Sequence, residues 1–276
     1  MAPAVKGTAA AGKKTFSIIT GKLNFPDLVG IYGPGGIGKT ELIANAAQAG
    51  YNPILIDVDG GSNNVNIARI GENNAPLDNW SDLRDMLHSY DLLKPFDLIG
   101  TDSLTRAEEL CVQHVLGTVP RGDTTKTPAT SIESYGWGKG YTHVFENFLP
   151  LLSDLDQLRR RGKTVIVSMH ECVERVPNPA GEDWIRYEPR MQNQRQGNIR
   201  ARVKEWVDHL LFIGYDIAVS DRTGKAMDAP EGSPRTIYPI EQPIHWAKTR
   251  SLQYAIPYPR GSADLWNILR QSKATA

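Results

Sequence analysis

Eight consecutive residues constrain this chain more than any other stretch. Gly33, Pro34, Gly35, Gly36, Ile37, Gly38, Lys39 and Thr40 satisfy the pattern G-x-x-x-x-G-K-[ST]. The apolar run 28–32 precedes them and helix-forming residues follow as far as Ala49, so the pattern sits between a predicted strand and a predicted helix. Glycines let the backbone curl until several N–H groups converge, and the following helix adds the positive end of its dipole. Such a nest holds phosphate. Lys39 is expected to reach the β- and γ-phosphates of a nucleotide, and Thr40 to offer its hydroxyl to Mg2+.

No composition break divides the 276 residues, which reads as one domain over 16–276 behind a disordered Ala/Gly/Lys-rich tail, 1–15. Lys+Arg and Asp+Glu both number 31, so overall charge selects no polyanionic partner and any nucleic-acid surface must be local. Cys111 and Cys172 are too few for a disulfide framework and lack metal-ligand spacing, as expected in a reducing compartment. The first residues lack the apolar centre of a signal peptide, and no stretch approaches the roughly eighteen apolar residues of a membrane span. A cytoplasmic protein with no membrane partner is expected.

Beyond the glycine-rich turn, predicted strands at 53–58, 96–101 and 164–169 alternate with predicted helices at 80–90, 104–116 and 141–161, the last carrying Pro150 as an expected kink. Alternation of this kind predicts an α/β fold, a mostly parallel sheet with helices on both faces. A short strand or hairpin edge is expected within 16–25. Predicted strands at 209–215, 235–240 and 244–248 add an antiparallel C-terminal extension, and a short helix is expected over 262–271, capped by Ser262.

Three carboxyl-edge positions bear on chemistry. Asp102 ends a buried strand, where it either approaches the metal through water or caps the next helix. Asp57 and Asp59, two apart, point the same way; one of them orients an attacking water, or both belong to an Asp-Gly turn. His170 follows the fourth strand, at the edge where open parallel sheets bind ligands, and either senses the γ-phosphate or bonds a loop carbonyl.

Taken in order, GPGGIGKT, LIDVDGG, LIGTDSLTRAEEL, TVIVSMHE and AKTRSL resemble the RecA-like branch of P-loop ATPases. The chain is more closely similar to phage-encoded AAA-type NTP-binding proteins regarded as RecA-like single-strand annealing recombinases. YGWGKGY at 135–141 and KEWVDHLLFIG at 204–214 extend that similarity. The resemblance implies ATP and Mg2+ as cofactors, with Thr40 and Asp102 on the metal. It also implies Asp59 as the water-orienting acid, one methylene shorter than the usual glutamate. Gly100 and Thr101 replace bulkier apolar residues. Lys248 and Arg250 match a K-x-R element presented to a neighbouring protomer's nucleotide, which implies self-assembly into a ring or filament.

The same resemblance assigns single-stranded DNA to two loops, 117–140 and 173–204. Arg190, Arg195, Arg200 and Arg202 would fork to phosphates there, and Trp184 and Tyr187 would stack on bases. It further implies a single-strand-binding protein as partner, and the host cytoplasm as location. The function implied is an ATPase of recombination or replication. A helicase or helicase-loader motor and a non-hydrolysing, nucleotide-gated DNA-binding protein are the alternatives.

Overall fold

Strand β1 (Leu28–Gly33) is buried at all six positions. Leu28 and Tyr32 enter one hydrophobic core, Val29 and Ile31 the other. A strand covered on both faces has no polar side to show, which is why its sequence is a continuous apolar run. The computed structural model describes residues 18, 20, 21, 23–71, 75–122, 129–216 and 234–274. The expected tail 1–15 lies outside them, and the described residues between 16 and 25 form no strand.

Around β1 the sheet takes the order β11-β10-β9-β1-β5-β4-β2-β3. Strands β2 (Pro53–Asp57), β3 (Ala68–Ile70), β4 (Leu98–Asp102), β5 (Thr164–Val176) and β9 (His209–Tyr215) join β1 in parallel. Strands β10 (Arg235–Tyr238) and β11 (Ile256–Pro257) close the edge in antiparallel fashion. One core packs under α2 (Trp80–His88), α4 (Leu104–Thr118), α5 (Lys139–Arg160) and α6 (Ile199–Trp206); the other lies under α1 (Lys39–Asn45) and α7 (Asp264–Ala274). Between α2 and β4 runs the one-turn α3 (Tyr90–Leu93). This is the α/β architecture the alternation predicts, a mostly parallel sheet with helices on both faces and antiparallel C-terminal strands.

Register brings the functional ends together. Gly33 pairs with His170 across β1 and β5, and Asp57 with Asp102 across β2 and β4, so β1, β2 and β4 finish at one edge together with His170 of β5. At Gly33 the backbone approaches β9 so closely that a Cβ would be driven into the Ile213 carbonyl oxygen, and φ is +157°. Only glycine fits there.

Several expectations need correction. Beyond Met169, β5 continues to Val176 and leaves the sheet as a hairpin with β6 (Trp184–Pro189), so much of the expected loop 173–204 is ordered strand and helix. The 244–248 stretch makes only isolated bridges, to Tyr187 and Leu210 among others. Helix α5 runs through Pro150 as one element. The short edge strand β3 was not anticipated, since its three residues carry no apolar run.

Gly100 has a packing reason. A Cβ on it would lie 2.6 Å from Cγ2 of Ile43 on α1 and 3.3 Å from Cδ1 of Leu55, so the bulkier residue expected before Asp102 has no room. Gly100→Ala should therefore lower stability by about 1–3 kcal/mol, the usual range for overpacking a full core. A urea unfolding midpoint equal to wild type would contradict this close approach.

Candidate functional site

The glycine-rich turn leads from β1 into α1, whose first residue is Lys39. Lys39 is only 8% exposed, and its Nζ donates to the carbonyls of Gly33 and Pro34 at 2.8 Å each. Burial lowers its pKa, against the opposing pull of Asp102, Glu171 and Asp59, in falling order of strength. At Gly35 and Gly36 an added Cβ would meet no protein atom within 4 Å, so the turn has room for phosphate oxygens beside its N–H groups.

Thr40 donates its hydroxyl to Oδ2 of Asp102 at 2.5 Å, while Ser168 on β5 donates to Oδ1. The helix cap expected of Asp102 is made instead by Ser103, whose hydroxyl accepts from Arg106 N. Asp102 is thereby left to the turn. A threonine hydroxyl and one carboxylate suit Mg2+, which keeps most of its shell as water and phosphate. No cluster of three or more His, Cys, Asp or Glu able to hold a metal occurs among the described residues. The residues thus fit Mg·ATP. Thr40 and Asp102 would hold the ion, which would neutralise phosphate charge.

The two aspartates at the end of β2 and just beyond it divide. Asp57 accepts from Gly60 N at 2.7 Å and from the Ser62 hydroxyl, so it ties down the turn that follows its own strand. Asp59 reaches across to His170, Oδ2 to Nε2 at 3.2 Å. Burial works against the Asp59 carboxylate, yet hydrogen bonds from His170 and Ser103 outweigh it and hold the pKa below the ordinary value. Lys39, Thr40, Asp59, Asp102 and His170 thus come together from the ends of β1, β2 and β4 and from within β5.

Sequence reasoning missed the supports of this site. Arg235 Nη1 donates to Ile37 O at 2.8 Å, and its guanidinium lies 4.4 Å from the Tyr258 ring centroid. The Tyr258 hydroxyl donates to Gly38 O at 2.8 Å, and the Trp266 indole N–H to Leu42 O at 2.7 Å. Glu171 was also passed over, although it stands next to His170. Burial raises its pKa, and its Oε2 has no hydrogen-bond partner among the described residues.

Arg200 is withdrawn from the DNA surface. It is 4% exposed, pairs with Glu188 at 2.7 Å and Glu174 at 2.8 Å, and donates to Met191 O. Its acids lie on the two strands of the β5–β6 hairpin. Arg202 is exposed, 3.7 Å from Glu205. Arg190 and Arg195 are exposed and form no ion pair among the described residues. Of the expected stacking pair, Trp184 is half-buried, and Tyr187, 37% exposed, stacks its ring on Phe212 with centroids 5.2 Å apart.

Lys248 is likewise corrected. Its ammonium donates to the carbonyls of Lys204, Glu205 and Val207, three acceptors for three protons, so it caps the end of α6 in its own chain. Arg250 lies 3.2 Å from buried Asp208 but is 64% exposed, beside the starts of β1 and β9 and so at the edge opposite Gly33.

No described helix is long and apolar enough to cross a membrane. Comparison with solved structures finds similarity to the flagellar accessory protein FlaH from Methanocaldococcus jannaschii, at 10% identity and TM-score 0.38 over 77% of each chain. A KaiC-like protein from the hyperthermophilic archaeon Pyrococcus horikoshii OT3 is similar at 10% identity and TM-score 0.43, over 85% of this chain and 91% of that one. No curated protein matches the chain. The family model described as AAA domain matches residues 27–251, a span that holds the whole glycine-rich turn and every strand end converging on it. With that match over most of its length, the chain belongs to the AAA domain family.

Proposed function

We propose that this protein binds Mg·ATP at the 33–40 turn, hydrolyses it, and acts on single-stranded DNA in phage-type recombination or replication. One observation carries the nucleotide reading: Thr40 and Asp102 meet at 2.5 Å beside Lys39, with the Asp59–His170 pair at the same edge. Lys39 would balance phosphate charge, and Asp59, oriented by His170, would position the attacking water. Arg250 would serve a neighbouring protomer's site, being exposed and remote from its own turn. Exposed Arg190 and Arg195 support the strand reading.

A second reading is favoured by one feature. The Asp59 carboxylate is already engaged by His170 and its pKa is lowered, which makes it a weak proton acceptor and suits a nucleotide-gated binding protein that seldom turns over. Phosphate release from ATP, measured with and without a poly-dT oligonucleotide, separates the two. We expect magnesium-dependent turnover that rises with DNA. Tight ATP binding without phosphate release would decide for the second reading, and absence of ATP binding would end both.

A further inference from the structure

Trp137 is 96% exposed, and at φ +51° it is the one non-glycine residue with positive φ among the described residues. A bulky L side chain rarely adopts that backbone, and here burial gives nothing back. Its neighbours share the hand, Gly136 at +73° and Gly138 at +74°. Both flanks are fixed. Tyr135 is buried, with its hydroxyl donated to the carbonyls of Val115 and Val119, and Gly138 forms the N-cap of α5. The chain is thus held in a form that projects one indole into solvent.

A second element lies against this turn. Arg195 and Gln196 connect the short strands β7 (Asn193–Gln194) and β8 (Gly197–Asn198). A Cβ on Gly138 would lie 2.8 Å from Cδ of Gln196, and Thr142 donates to Gln196 O at 3.2 Å. Gln192 ties the base of the turn to Tyr141 O at 3.0 Å. Arg195 and Lys139 are exposed and have no ion pair among the described residues, and the nearby exposed acid, Glu133, accepts from the Tyr141 hydroxyl at 2.6 Å. The turn that carries the indole thus lies beside the Arg195–Gln196 turn, with Lys139 two residues along the chain and Glu133 engaged by Tyr141.

We infer that Trp137 and the Arg195 turn form one surface for a single-stranded nucleic acid, with Trp137 stacking on a base and Arg195 and Lys139 taking the flanking phosphates. Aromatic stacking accepts any base, and unpaired cations complement a polyanion. The inference rests on the reading that the protein takes a single strand. It moves the stacking role from Trp184 and Tyr187 to a residue one position from the α5 cap.

Fluorescence anisotropy of a labelled poly-dT oligonucleotide with the full-length protein, at several salt concentrations, tests it. Trp137→Ala should weaken binding about 5- to 150-fold with its salt slope unchanged, and Trp137→Phe should retain most of the affinity. Arg195→Ala should reduce the salt slope by about 0.7. If wild type binds and Trp137→Ala binds equally well, the inference fails and the strand reading stands. If wild type does not bind, that reading fails and takes the inference with it. Unchanged strand affinity with loss of self-association in light scattering would assign Trp137 to a protein interface instead, overturning the inference.

Discussion

Lys39→Ala should weaken ATP binding about 10- to 150-fold, the range expected when a charge-assisted hydrogen bond to phosphate is lost. The fold should remain intact. Lys39 is buried, but its ammonium bonds only to carbonyls of its own turn, and alanine is the strongest helix former for the first position of α1. An added effect comes from the carboxylates of Asp102, Glu171 and Asp59, whose charge Lys39 offsets. Without it they would face incoming phosphate uncompensated. Titration calorimetry with Mg·ATP, alongside circular dichroism, measures both quantities. Equal affinity in mutant and wild type would remove the turn from nucleotide binding.

Arg200→Ala should have the largest effect on stability, about 3 kcal/mol, the low end for breaking a buried ion pair, because Glu188 is left with Arg186 as its remaining partner. Glu188 is 5% exposed and shared between Arg200 at 2.7 Å and Arg186 at 2.6 Å, so it cannot turn to water when Arg200 goes. Arg195→Ala, on an exposed turn, should stay within about 0.5 kcal/mol of wild type. Urea unfolding of the two variants gives the comparison. If both unfold at the wild-type midpoint, Arg200 is not the tie between the β5–β6 hairpin and α6 that its contacts describe.

The parts of this molecule that were legible in the sequence are those where burial on two faces forces a continuous apolar run. β1, β2, β4 and the first half of β5 all have that character, and their order placed Lys39, Thr40, Asp59, Asp102 and His170 at one edge. The second half of β5, ECVERV, was missed because it leaves the sheet and pairs on one side only with β6, so its residues need no apolar pattern. Arg200 was misjudged for a different reason. A window of sequence counts its own acids and is blind to Glu174 and Glu188, which tertiary folding brings to the guanidinium. Trp137 sits in a motif that sequence did single out, yet a left-handed backbone at a tryptophan has no residue code, unlike the glycines on either side of it.

The far end of the chain holds the nucleotide helix in place. Trp266 of α7 donates to Leu42 of α1 across 224 positions, Tyr258 to Gly38 across 220, and Arg270 donates to Ala49 O nearby. A fragment ending after β9 would contain every residue of the glycine-rich turn and still lack the floor on which that turn rests. Closing such spans carries an entropic cost, and the loop's geometry depends on contacts made from far along the chain. The nucleotide site is accordingly a property of the whole domain, and no contiguous segment around residues 33–40 can be excised with its shape preserved.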